Sequence, residues 1–272
     1  MLSNRPRCGR GRAWTRMRPM PPRIYTSKLI PVPHGFTTRD GGVSEGPYRS
    51  LNVSLSVGDS PQRVAENVRL IARAAGIPPS RIQMASQVHG SHVLDDVVPN
   101  PDSELTTLCG EADALWTSSV GSAVAVRVAD CVPLVLVDPD GRRVAAVHSG
   151  WRGTDLRIAA RVVKSLQSKG AVAARLLAAI GPSIRGCCYA VSPELAARFS
   201  AAFGSTVVRI GGARHYLDLS AAVHATLRES GLRDEHIDIV SGCTSCAAAD
   251  FFSHRRDGGT TGRQMGFVVC SF

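Results

Sequence analysis

The chain has 272 residues, 44% of them hydrophobic and 5% aromatic, and a formal net charge of +10. That length and apolar content can bury a core built mainly from aliphatic side chains. The apolar runs are short and broken by Gly, Pro or charge, which excludes a membrane helix of about 20 residues.

The charge is concentrated at the start. Residues 1–28 carry Arg5, Arg7, Arg10, Arg12, Arg16, Arg18, Arg23 and Lys28, and no acidic residue precedes Asp40. Eight of the ten net positive charges therefore lie in this leader, and the nearly balanced body is not expected to bind nucleic acid. The leader lacks the apolar centre of a secretory signal. Residues 1–28 read as a disordered basic tail, or as sequence upstream of a start at Met17 or Met20, and residues 29–272 as one catalytic domain. The eight cysteines (Cys8, Cys109, Cys131, Cys187, Cys188, Cys243, Cys246 and Cys270) have no regular spacing. In a long chain without a signal peptide they read as reduced thiols or metal ligands, which points to the cytoplasm.

In chain order, Ser60-Pro61 starts a helix whose apolar face is Val64, Val68, Ile71, Ala72 and Ala75, with Gly76 as the stop. Strands follow over 123–128, 133–137 and 144–147. Asp138-Pro139-Asp140-Gly141 joins the last two as a hairpin. Ile158, Ala159, Val162, Val163 and Leu166 mark a second helix that stops before Gly170, and residues 176–180 form a strand. Ser192-Pro193 starts a third helix with Leu195, Phe199 and Phe203 on one face, closed by Gly204. A fourth covers Ser220 to Ser230, and strands over 237–240 and 265–269 complete the chain. Hairpins mixed with helices predict an α/β domain of the α+β type, with mixed β-sheets and outer helices.

Three segments offer metal-capable side chains beside strand-like runs: Gln87-Val88-His89-Gly90, Ala129-Asp130-Cys131-Val132-Pro133 and His148-Ser149-Gly150-Trp151-Arg152-Gly153. Two imidazoles and one thiolate make a sensible catalytic zinc set with a fourth position open. Spacing leaves two alternatives: a metal-free Cys131 nucleophile paired with a histidine, and an ordinary structural role for each residue. Cys243-Thr244-Ser245-Cys246 resembles half of a structural zinc site. No second Cys-x-x-Cys completes it and Cys187-Cys188 has a different spacing, so a strand-end role is expected.

The same segments, together with 34–44, Asp113-Ala114-Leu115-Trp116-Thr117, 179–182, Cys187-Cys188-Tyr189, 251–258 and Thr261-Gly262-Arg263, resemble the YfiH-like family. That family is also labelled laccase-domain or multicopper polyphenol oxidoreductase and is associated with purine nucleoside phosphorylase activity. The matching segments span about residues 34–268. The resemblance implies a YfiH-like fold of mixed sheets and outer helices, and metal ligation by His89, Cys131 and His148, usually to zinc, with copper as an alternative. It implies phosphorolysis of adenosine, guanosine or inosine, with adenosine deamination and methylthioadenosine cleavage in some members. Purine nucleosides and phosphate are the expected partners, without nucleic acid or membrane, in a monomer or homodimer.

Arg39, Arg152 and Arg256 are expected to grip substrate, chiefly phosphate, and Asn52 to contact ribose or base. Arg255 is a further cation in a turn-like segment, and Asp130 is given no catalytic role. Rival readings are a peptidoglycan-editing amide hydrolase using the same Cys/His site, a copper polyphenol oxidase and a non-enzymatic scaffold. His215, His224, His236 and His254 show no repeated His-x-His pattern, which weakens the oxidase reading.

Overall fold

Strands that are apolar at every position have to be covered on both faces, and this requirement sets the layers. The computed structural model describes residues 20–140 and 142–272. One six-stranded sheet contains, in spatial order, β1 (Ile24–Tyr25), β2 (His34–Thr37), β15 (Gln264–Cys270), β7 (Ser122–Val128), β3 (Ile82–Ser86) and β5 (Thr107–Glu111). The other contains β14 (Ile237–Ile239), β10 (Leu177–Ile180), β8 (Val132–Asp138), β9 (Arg143–Ser149), β6 (Ala114–Thr117) and β4 (Val93–Leu94). Parallel pairs such as β3–β7 and β10–β14 stand beside antiparallel pairs such as β7–β15 and β8–β9, so both sheets are mixed as expected.

Side-chain alternation then sorts each strand between two cores. Val124 and Val126 of β7, Val135 and Val137 of β8, Val144 and Ala146 of β9, and Val268 of β15 meet between the sheets. The opposite faces of β7 and β15, through Ala123, Ala125, Met265 and Phe267, pack on helix α1 (Pro61–Ala75). The opposite faces of β8 and β9, through Leu134, Leu136, Ala145 and Val147, are covered by α3 (Ile158–Ser168), α4 (Pro193–Phe203) and α5 (Leu219–Glu229). The result is four layers, helix–sheet–sheet–helices. A short α2 (Trp151–Asp155) lies between β9 and α3, and β11 (Ala190–Val191), β13 (Arg214–Leu217) and β12 (Val208–Gly211) make a small third sheet.

The four expected helices are present, two of them started by a side-chain cap. Ser192 Oγ accepts from the Leu195 amide, and Asp218 accepts from the Ser220 and Ala221 amides, which moves the start of α5 to Leu219. The expected hairpin is the antiparallel β8–β9 pair, with Gly141 of its turn outside the described residues. The expected boundary at residue 29 needs correction. Ile24 and Tyr25 pair with Thr37 and Phe36 at the sheet edge, and Arg23 forms an ion pair with Asp250 at 2.7 Å. The C-terminal part of the supposed leader is thus built into the domain; residues 1–19, Met17 included, lie outside the described residues. No helix among the described residues is long and apolar enough to cross a membrane.

Phe36 enters the inter-sheet core, and a Cβ added at Gly181, at the end of β10, would run into its ring. Gly181→Ala should therefore lower the unfolding free energy by about 1–3 kcal/mol. Urea melts measure this, and an unchanged midpoint would show that the sheets separate there without cost.

Candidate functional site

The chain crosses from one large sheet to the other between β7 and β8, and Cys131 lies at that crossing. Asp130 takes a left-handed conformation (φ 87°) to make the corner. Its carboxylate accepts from Thr244 Oγ1 at 2.6 Å and from the Arg255 amide at 2.6 Å, while its carbonyl accepts from the Ile184 amide. The corner is thereby tied at three points to two other loops, the one after β10 and the one between β14 and β15. His148 sits on β9 directly across from Pro133 of β8, so strand pairing brings it beside Cys131. His89, also left-handed (φ 60°), follows β3, which runs parallel to β7 and ends on the same side. Two sheets therefore deliver three distant residues to one point.

Asp113, fully buried immediately before β6, holds the His148 imidazole and the backbone turn that carries His89. One carboxylate oxygen accepts from His148 Nδ1 at 2.7 Å and from the His89 amide at 3.0 Å; the other accepts from the Gly90 amide at 2.6 Å. With Nδ1 held by Asp113, His148 presents Nε2 to Cys131, and Nε2 can ligate an ion on giving up its proton. The His89 and His148 rings meet edge to face, with centroids 4.8 Å apart. Gly150 is required here by close approach: a Cβ would lie 3.0 Å from Cys131 Sγ.

Burial opposes ionisation of the Cys131 thiol, but the adjacent His148 charge and hydrogen bonds from His148 and His89 prevail, and its pKa falls to about 6. Burial likewise opposes charge on His148, yet Cys131 and Asp113 raise its pKa to about 9. Asp113 is held below the usual carboxylate range: desolvation is outweighed by donation from His148 and the Gly90 and His89 amides. The donor atoms of His89, Cys131 and His148 lie within 4.8 Å of one another. Donors around one tetrahedral zinc are roughly 3.5 Å apart, so one thiolate and two imidazoles fit a single ion after small side-chain movements.

These three residues form one wall of a cavity of about 450 Å³, within the roughly 300–1,000 Å³ typical of small-molecule sites. Arg127, Arg152, Arg255 and Arg263 also line it, as do Tyr189 and His254. Arg152 rests over the Trp151 ring at 4.5 Å and donates to no protein acceptor among the described residues. Arg255 packs over Tyr189 at 4.9 Å and donates to the Ala190 carbonyl. Burial, then the negative Cys131 nearby, raises the Tyr189 phenol to about 12, so it keeps its proton at neutral pH.

Of the four residues expected to hold substrate, Arg152 alone lines this cavity. Arg39 is directed to the Arg49 and Ala248 carbonyls and lies over Phe252. Arg256 is engaged by Asp257 and by the Thr244 and Phe251 carbonyls. Asn52 is fully buried; its amide donates to Asp59 and the Ser54 carbonyl, and its oxygen accepts from the Ser54 and Arg263 amides. These three residues brace loops, Asn52 positioning the Arg263 backbone. Sequence reasoning overlooked Asp113, Arg127, Tyr189 and Arg263 as individual contributors. Tyr189 and Asp113 lay inside the recognised motifs, whereas nothing local distinguished Arg127 from an ordinary strand residue.

Residues 33–271 match the profile of a family described as multi-copper polyphenol oxidoreductase laccase, and the chain belongs to that family. A Deinococcus radiodurans protein named purine nucleoside phosphorylase is 41% identical over 240 residues, covering 88% of this chain and 89% of that protein. A Streptomyces coelicolor protein, also named purine nucleoside phosphorylase, is 39% identical over 234 residues, covering 86% and 93%. The crystal structure of YfiH from Bacillus licheniformis superposes with a TM-score of 0.84 at 32% identity, covering 92% of this chain and 97% of that one.

Asp113→Asn should weaken metal affinity by about 10–100-fold, because the amide has one accepting oxygen in place of the two that hold His148 Nδ1 and the His89 and Gly90 amides. Competition against a chelating dye measures the change, with near-UV circular dichroism checking the fold. Equal affinity in a folded variant would remove Asp113 from this orienting role.

Proposed function

We propose that this chain is a metal-dependent purine nucleoside phosphorylase, taking adenosine, inosine or guanosine with phosphate to free base and ribose-1-phosphate. The observation that carries the reading is one cavity combining the His89/Cys131/His148 wall with an array of arginines. Such a lining suits an anion placed beside a reacting sugar. The names of the relatives support the same reaction class. Zinc matches the mixed thiolate and imidazole donors best, with copper as the alternative.

A bound divalent ion supplies Lewis-acid charge at the wall of the cavity. His89, Cys131 and His148 would hold it, with Asp113 directing His148 Nε2 toward it. Arg152, with Arg255 and Arg263 nearby, binds phosphate and orients one oxygen toward the anomeric carbon of the ribose. A new C–O bond forms as the bond to the purine nitrogen breaks, and the electron pair leaves with the base. The departing nitrogen takes up one proton, balanced by the one that hydrogen phosphate gives up on becoming the ester. Tyr189 holds a proton on Oη at neutral pH and can donate a hydrogen bond to the nucleoside. Arg39, Asn52 and Arg256, first expected to touch substrate, act through the loops that hold these groups.

Purified protein should convert inosine to hypoxanthine and ribose-1-phosphate, with turnover requiring phosphate. Cys131→Ala should lose metal and at least about 100-fold in activity. Arg152→Ala should raise KM for phosphate by about 10–100-fold, the value of a lost charged hydrogen bond, with less change in kcat. Chromatography of the products also reads adenosine deamination and methylthioadenosine cleavage, the side activities included in the reading. Absence of free base from every nucleoside at full metal loading would overturn the phosphorylase assignment.

A further inference from the structure

Four of the eight cysteines meet at a second place. β10 and β14 are parallel neighbours, so their carboxyl ends open on the same side of the sheet. The loop after β10 carries Cys187 and Cys188, and the loop after β14 carries Cys243 and Cys246. Residues Ser183 and Cys243 form a parallel bridge between these loops, and the Thr244 amide donates to the Ser183 carbonyl. The four sulfurs lie within 4.8 Å of one another. Cys246 Sγ is 3.5 Å from Cys187 Sγ and 3.1 Å from Cys188 Sγ. A disulfide would require about 2.05 Å, whereas the edge of a tetrathiolate with 2.3 Å zinc–sulfur bonds is about 3.8 Å. The strand-end role expected for Cys243 and Cys246 is thus incomplete: the missing half of the set is the adjacent pair Cys187-Cys188.

We propose that Cys187, Cys188, Cys243 and Cys246 form a structural tetrathiolate site for a soft divalent ion, zinc being the best match. Its surroundings suit that charge. Backbone amides of Arg185, Ser245 and Cys246 face the Cys243 sulfur as hydrogen-bond donors. The Arg185 guanidinium, fixed by the Gly181, Val240 and Gly242 carbonyls, offsets the net negative charge of a four-thiolate zinc centre. Four protein ligands close the coordination sphere, which is the pattern of a structural rather than a catalytic zinc.

The site would staple two loops that serve the cavity. Thr244, between two of the ligands, donates to Asp130 beside Cys131, and Tyr189 immediately follows Cys188 and lines the cavity. This inference stands on the cysteine geometry and does not depend on the phosphorylase reading.

Elemental analysis of the full-length protein, purified without chelator, should find a second equivalent of zinc beyond the one at His89/Cys131/His148. His89→Ala/Cys131→Ala should retain one equivalent. Its cobalt-substituted form should show the strong sulfur-to-cobalt charge-transfer band of a tetrathiolate. Cys187→Ser/Cys246→Ser, altered at the two exposed sulfurs, should lose one equivalent and melt at lower temperature. Since that variant can fail to fold, the wild-type protein gives an independent test: a mercurial thiol reagent should release two equivalents into a zinc-sensing dye. A His89→Ala/Cys131→Ala protein that holds no zinc, or wild-type protein carrying a disulfide among these cysteines after metal loading under reducing purification, would overturn the proposal. So would unchanged metal content in the folded serine variant.

Discussion

A carboxylate with no solvent exposure is costly unless every lone pair meets a donor, and Asp113 meets this demand using the site itself. Its partners are His148 Nδ1 and the amides of Val88, His89 and Gly90. The groups that stabilise the buried charge therefore include one ring of the His89/Cys131/His148 wall and the backbone that carries another. One carboxylate orients the His148 ring and braces the left-handed turn at His89. Removing a partner from a buried pair of this kind costs about 3–5 kcal/mol, so the geometry of the site and the stability of the strand edge are coupled.

Asp130 performs a related task at the corner between the sheets. A non-glycine residue at positive φ needs compensation of about 1–3 kcal/mol, and Asp130 receives it from Thr244 Oγ1, the Arg255 amide and the Ile184 amide. The compensation comes from the loop after β10 and from both ends of the long loop between β14 and β15. Cys131 is consequently held by segments far apart in sequence, and its position is set by tertiary structure rather than by the two strands that flank it.

The helices and the long central strands were legible because local signals determine them: cap residues, proline at the first turn, glycine at the stop, and runs apolar on both faces. The strands missed by reading the sequence range from Ile24–Tyr25 and Ala190–Val191 up to the five-residue Ile82–Ser86 and Thr107–Glu111, all shorter than the seven-residue β7, β8, β9 and β15. The sequence motifs single out His89, Cys131, His148 and Arg152, which the fold brings to one cavity, and equally Arg39 and Arg256, which it does not. Arg39 and Arg256 have the same residue type and turn-like setting as Arg152, yet carbonyl groups from distant loops occupy their guanidinium donors. Whether an arginine faces a cavity depends on which acceptors the fold delivers to it, and sequence spacing carries no record of that. Asn52 shows the same limit, since all its polar contacts lie in a buried network that includes Arg263.

Cysteine spacing is misleading for a related reason. A Cys-x-x-Cys search assumes that each half of a metal site is a local turn, whereas a vicinal pair can supply two donors when a parallel neighbour strand delivers the other loop. The β10–β14 pairing does this, and the Ser183–Cys243 bridge extends the pairing beyond the strands to the cysteines. The same loops then reach Asp130 and Tyr189, so the cysteine cluster and the His89/Cys131/His148 wall share a mechanical connection through Thr244. A restraint at the cluster narrows the motion of Asp130 and of the corner that carries Cys131. By this route a set of side chains that never enters the cavity can govern how rigidly the cavity is held.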